Sequence, residues 1–222
     1  MFDGFDPQMI PFFLDLRFHN EKAFMDANRE RYLQHVRQPF YDFITELGQM
    51  MLKDIDDLEV RPNKCLSRIN RDTRFSRDKS PYRDHLWVAF RKAGVEKDGK
   101  PFYWFEISPE NVSWGMGVWG ENRDLFDRMR REMIKSPDAY LKLLELVREA
   151  DCAVGGAVWK KMVLPEGLPA ALGILYPRRS LFFEKQGIDP ESIYGPGIVR
   201  DVYRDYQRLM PFYRALTRCV EC

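Results

Sequence analysis

Cysteine is scarce in this chain, and what there is does not make a scaffold. Cys65, Cys152, Cys219 and Cys222 are four thiols among 222 residues, too few and too unevenly spread to staple a secreted fold of this length. Reduced thiols are expected. The Cys219-x-x-Cys222 pair has no second pair with which to complete a zinc site and reads as a tail. Histidine is scarcer still, and His19, His35 and His85 share no ligand spacing. Walker loops, Gly-x-Ser-x-Gly and His-Glu-x-x-His are missing, which leaves the familiar nucleotide-binding, hydrolase and zinc-protease classes without support. Nothing in these patterns calls for a cofactor or a metal. The amino terminus lacks a basic segment followed by an apolar run, and no apolar stretch approaches the length that spans a bilayer. The expectation is a soluble, cytoplasmic protein with no membrane partner.

A global excess of charge is also missing. With 35 basic against 34 acidic residues, the surface as a whole is not built for nucleic acid or acidic lipid, and any polyanion contact has to be regional. Hydrophobic residues make up 45% of the chain and aromatics 14%, enough to bury a real core in one domain spanning 1–222.

Periodicity supplies the elements. Met9, Phe12, Phe13 and Leu16 lean helical over 8–18, and Asn20 before Glu21 has the pattern of a helix cap. Met25, Tyr32, Val36, Phe40, Phe43, Leu47 and Met50 then recur as one stripe of a long amphipathic helix, kinked or restarted at Pro39. Past residue 84 the period changes to two. Leu86, Val88 and Phe90 alternate with their neighbours, as do Tyr103, Phe105 and Ile107, and the turn residues Asp98-Gly99 and Ser108-Pro-Glu-Asn111 separate them. Residues 85–119 are thus expected as a three-stranded antiparallel meander. Two helices follow, the second opened by Ser136-Pro137-Asp138, then an unassigned stretch over 155–177 and an edge strand over 180–185. A last helix carries Val199, Val202, Tyr206 and Leu209 and is broken or kinked at Pro211. Helices, meander and helices in that order give an α+β fold with an antiparallel sheet.

One stretch concentrates chemistry. Between Ser67 and Arg83 lie Arg68, Arg71, Arg74, Arg77, Lys79 and Arg83 against only Asp72 and Asp78, net +4 in a chain whose total is +1. Arginines three apart drift by about 60° per step on a helix, so four of them cannot make one narrow stripe, and Pro81 disfavours helix at Ser80. A loop is expected. There, Arg68, Arg71, Arg74 and Lys79 could hold a phosphorylated or carboxylated small molecule, Thr73 and Ser76 could donate hydrogen bonds, and Tyr82 could stack on or bond to it. Asp72 is the acid/base candidate if there is catalysis. Two other readings stay open. The arginines and aspartates could form a purely structural ion-pair network. Alternatively, the chain could be a non-enzymatic module for nucleic-acid backbone or an acidic protein, with Trp87, Trp104 and Trp114 as stacking platforms.

Gly115-Met-Gly117-Val-Trp-Gly120 matches the dinucleotide-binding Gly-x-Gly-x-x-Gly, but the strand before it is not the Val/Ile-rich strand of a parallel sheet and Trp119 is too bulky to lie against pyrophosphate. Glycines that end a strand explain it better.

The string Arg-Ile-Asn-Arg-Asp-Thr-Arg-Phe-Ser-Arg-Asp-Lys-Ser-Pro-Tyr-Arg, residues 68–83, resembles the most recognisable stretch of the bacterial and fungal family catalogued as domain of unknown function 2461. Phe13-Leu14 with Asn20 resembles the opening of that family, Tyr103 to Pro109 and Gly117-Val-Trp119 its middle, and Pro211-Phe-Tyr-Arg-Ala-Leu216 its end. His19 and Phe24 depart from the family's asparagine and tryptophan, while Arg77 and Arg83 replace lysine and keep the charge. The resemblance implies an α+β bacterial cytosolic protein and brings no reaction with it.

Overall fold

Where the sequence has a period of 3.6 the chain is helical, and where it has a period of two it is strand. The computed structural model describes residues 2–94, 99–185 and 187–221. Its helices are α1 (Met9–Phe18), α2 (Lys22–Ala27), α3 (Arg29–Tyr32), α4 (Gln38–Met51), α5 (Pro62–Cys65), α6 (Arg123–Lys135), α7 (Pro137–Glu149) and α8 (Gly197–Glu221). The strands are β1 (Leu86–Phe90), β2 (Pro101–Ile107), β3 (Val112–Val118), β4 (Cys152–Gly155) and β5 (Leu181–Lys185). They form an antiparallel sheet in the order β1-β2-β3-β5-β4, and the fold is α+β.

The expected meander is β1-β2-β3. Its second turn closes where Ser108 N–H donates to Asn111 O at 2.8 Å and Asn111 N–H to Ser108 Oγ at 3.0 Å. Of the first turn, Asp98 lies outside the described residues. The strand expected at 180–185 is β5, but it is interior rather than an edge: Leu181 to Glu184 pair with β3 on one side and Phe182 to Lys185 with β4 on the other. β4 is the edge strand on that side, and with only four residues it carries too little alternation to be read from sequence.

The helical stripe also differs in detail. Val36, Phe40, Phe43 and Leu47 are buried as expected, but Met51 rather than Met50 completes the stripe. At 3.6 residues per turn the stripe from Phe40 reaches position 51 more closely than 50. The restart near Pro39 is a π-helical turn, Leu33–Arg37, after which Pro39 sits in the first turn of α4. Pro211, by contrast, does not break α8, which runs through it. Leu209, Met210, Phe212, Tyr213 and Leu216 on either side are buried, and that packing outweighs the single lost main-chain bond.

The chain divides into two compact units. The first comprises Met1–Ala93, Trp104–Ser113 and Ile188–Tyr203, and its core is aromatic. Phe5 stacks on Phe105 with centroids 5.5 Å apart, and Phe43 lies 4.5 Å from the same ring. The second comprises Gly94–Tyr103, Trp114–Gly187 and Arg204–Cys222. There Tyr103 packs on Tyr206 and Tyr213 at 4.7 and 4.9 Å, and Phe183 on Phe212 at 4.6 Å. Asp205, fully buried, accepts from Trp114 Nε1 at 3.1 Å, with Lys185 Nζ 3.7 Å away.

Gly115 and Gly117 lie inside β3, paired with Glu184 and Phe182 of β5. A Cβ on Gly117 would stand 2.5 Å from the Leu181 carbonyl oxygen, so this glycine allows close approach of two strands. The dinucleotide pattern has that structural explanation.

Candidate functional site

The basic segment is the tip of an irregular hairpin in the first unit. Leu58 bridges to Lys92, Leu66 to Val88 and Asn70 to Tyr82, all antiparallel, so the chain on either side of the segment forms two arms. Ser67 N–H donates to Trp87 O, Arg83 N–H to Ile69 O and Arg71 N–H to Pro81 O, each at 2.8 Å. Residues 72–80 are left as the tip. Thr73 O closes it by accepting Ser76 N–H at 3.3 Å and Lys79 Nζ at 2.9 Å.

Asn20 anchors the hairpin from the corner between α1 and α2. Its carboxamide donates to Tyr82 O and accepts Tyr82 N–H, both at 2.9 Å. The expected capping role is therefore not filled by Asn20. Glu21 stands at the cap position of α2, without a side-chain cap.

Both aspartates of the tip are committed to arginines. Asp72 takes Arg74 in a two-pronged contact, Nε to Oδ1 at 2.9 Å and the terminal nitrogen to Oδ2 at 2.6 Å, and also accepts Arg74 N–H at 3.2 Å. Asp78 pairs with Arg71 and accepts from Ser80 N–H at 2.9 Å and Ser80 Oγ at 2.7 Å. The Arg74 hydrogen bonds hold the Asp72 carboxyl down at about 2, and those of Arg71, then Ser80, hold Asp78 well below the usual carboxylate range. A carboxylate held at about 2 is a weak base near neutrality.

Six cations less these two pairs leaves Arg68, Arg77, Lys79 and Arg83. Arg68 and Arg77 are exposed and have no ion-pair or hydrogen-bond partner among the described residues. Among the described residues Lys79 meets only the Thr73 carbonyl. Arg83 has no carboxylate partner among the described residues and lies over the Trp87 ring, 4.8 Å from its centroid. Burial, then the like charge of Arg71, push the Arg83 guanidinium below its ordinary value. The positive surplus counted in the sequence thus persists in the fold, and the Thr73 and Ser76 hydroxyls beside it have no partner among the described residues.

Other expected residues are placed differently. Tyr82 is buried with its main chain held by Asn20. Trp114 is buried in the second unit with its indole N–H on Asp205, so it is no stacking platform. Trp87 and Trp104 are half-buried. Phe75, 95% exposed, projects from the tip beside Arg74.

At the foot of the hairpin are residues that the sequence reading did not single out. His85 stacks on Trp87 with centroids 5.8 Å apart, and its Nδ1 is 3.0 Å from Asp84 Oδ1. Asp84 Oδ2 takes Arg17 Nε at 2.5 Å, and Arg17, in the last turn of α1, also clasps Glu110 through both its terminal nitrogens. The only sequence signal was His85 adjoining Asp84 and Arg83. Among the described residues no group of three or more His, Cys, Asp or Glu is placed to hold a metal ion.

Residues 68–83, the stretch that carries the resemblance, form the end of this hairpin in the first unit. A model of the family described as conserved hypothetical protein (DUF2461) matches residues 8–214. The chain belongs to the DUF2461 family. The match takes in α1, the hairpin, the whole sheet and most of α8, so the site described above lies within the family's shared region. No curated protein and no solved structure matches the chain. Among the described residues no helix is long and apolar enough to cross a membrane.

Proposed function

We propose that this DUF2461 member binds a phosphorylated or carboxylated small molecule at the basic hairpin. The observation that carries the reading is the surplus: Arg68, Arg77, Lys79 and Arg83 have no carboxylate partner among the described residues, in a chain whose net charge is only +1. Guanidinium groups offer paired N–H donors suited to phosphate and carboxylate, and the Thr73 and Ser76 hydroxyls add neutral donors. In this reading Arg71 and Arg74, tied to Asp78 and Asp72, brace the tip, and the four remaining cations meet the ligand. The proposed setting is the bacterial cytoplasm, which the family resemblance supports.

Phe75 supports a second reading. A nearly fully exposed aromatic beside exposed arginines is what a non-enzymatic module uses on nucleic-acid backbone, with the ring stacking on bases.

Titration with inorganic phosphate, read by thermal shift and calorimetry, separates the two. Saturable stabilisation that disappears in the Arg68→Ala/Arg77→Ala/Arg83→Ala variant supports the small-anion site. Weak phosphate binding together with oligonucleotide affinity that falls steeply with salt supports the second reading. Neither response from the folded wild-type protein overturns both.

A further inference from the structure

The hairpin arms are out of step at one place. Ser67 faces Trp87, and Ile69 faces Arg83, so between these pairs one residue, Arg68, is opposed by three: Asp84, His85 and Leu86. Trp87 N–H, which a regular ladder would turn to a carbonyl, donates instead to Ser67 Oγ at 3.0 Å. This bulge breaks the alternation just before β1 and turns His85 onto the Trp87 ring, where Arg83 also lies. An uncompensated cation and an imidazole therefore share one half-buried indole, with the partnerless Arg68 opposite them in register.

The Asp84 contact decides the imidazole's tautomer. Burial works to raise the Asp84 carboxyl, but the hydrogen bonds from His85 and Arg17 outweigh it and hold the group below its ordinary value. An ionised carboxylate has no proton to give, so the shared proton belongs to His85 Nδ1. Nε2 of the neutral ring then carries the lone pair. It has no partner among the described residues, and the side chain is one-third exposed. The charged groups around the pair are Arg17 from α1, Glu110 from the β2–β3 turn, and Arg68 and Arg83 from the two arms.

We propose that Asp84 and His85 form a proton-transfer dyad acting on a phosphate monoester held by the same hairpin. The proposal rests on the anion-binding reading and adds a reaction to it. Arg83 and Arg68 hold the phosphoryl oxygens. His85 Nε2 takes a proton from a water molecule as the water oxygen forms a bond to phosphorus and the bond to the ester oxygen breaks. The imidazolium then releases its proton to solvent and the departing alkoxide takes one from solvent, so one water is consumed and an alcohol and inorganic phosphate are released. His85 is the catalytic residue. Asp84 is a positioning residue that stays ionised throughout, as does the Arg17–Glu110 pair behind it.

p-Nitrophenyl phosphate tests this with the full chain. Hydrolysis is expected, with kcat reduced about 10²–10⁴-fold in His85→Gln. That variant should keep the thermal shift given by inorganic phosphate. Asp84→Asn should lower kcat and move the acidic limb of the kcat profile, which loss of a merely structural contact would not do. A readout independent of turnover is the ¹⁵N spectrum of His85, in which the neutral ring should be the Nδ1–H tautomer. An Nε2–H tautomer, or hydrolysis unchanged in His85→Gln, overturns the proposal. Phosphate binding without turnover overturns the dyad and leaves the anion site standing, whereas failure of both binding and turnover overturns the two together.

Discussion

The carboxamide of Asn20 makes both of the hydrogen bonds that a neighbouring strand would make to Tyr82, one to its N–H and one to its carbonyl, across 62 residues of sequence. One side chain thereby ties the basic hairpin to the α1–α2 corner.

Removing that tie leaves two main-chain groups in partly buried surroundings without partners. Asn20→Ala should lower the unfolding free energy by about 1–3 kcal/mol, read from urea melts. Amide exchange at Tyr82 should accelerate well beyond exchange in α8.

Gly117 makes a sharper demand. A methyl group there meets the Leu181 carbonyl and the Phe182 Cα at 2.5 and 2.7 Å, and these are backbone atoms with little freedom to yield. Gly117→Ala should cost about 1–3 kcal/mol or prevent folding, seen as a lower melting temperature or loss of soluble protein.

Acid stability should depend on Glu59. The Arg61 hydrogen bonds, opposed by burial, hold its carboxyl at about 2 against an ordinary 4.5. A group depressed in the folded state contributes stability that is present above pH 4.5 and is lost as pH falls towards 2. The wild-type melting temperature should drop across that window, and Glu59→Gln should flatten part of the drop.

Asp78 restrains one arginine of the tip. Asp78→Asn frees Arg71 and raises the net charge of the segment by one. If the hairpin takes anions, phosphate affinity should rise at low salt, and the slope of affinity against salt for a single-stranded oligonucleotide should steepen by about 0.7. A purely structural network instead predicts a lower melting temperature with no change in anion response.

Much of the fold was legible from periodicity alone. Phe40, Phe43 and Leu47 announced α4, and alternation at Leu86, Val88 and Phe90 and at Tyr103, Phe105 and Ile107 announced β1 and β2. The shift from Met50 to Met51, the four-residue β4 and the uninterrupted α8 were not legible, because each depends on packing against elements distant in sequence. Of the candidate site, the sequence marked the segment and its surplus of charge. It did not show that Arg71 and Arg74 would be spent on Asp78 and Asp72, or that Asp84 and His85 would stand at a bulge.

The sequence by itself determined the charge of residues 67–83, since covalent neighbours stay near one another in any fold, and it determined the kinds of secondary structure on either side. Only the tertiary structure decided which cations lack a carboxylate partner. That depends on register, on Asn20 holding Tyr82 and on Arg17 reaching Asp84 and Glu110, contacts between residues tens of positions apart. Such contacts form only when buried apolar faces bring the helices and strands together, and no local pattern of residues encodes their geometry.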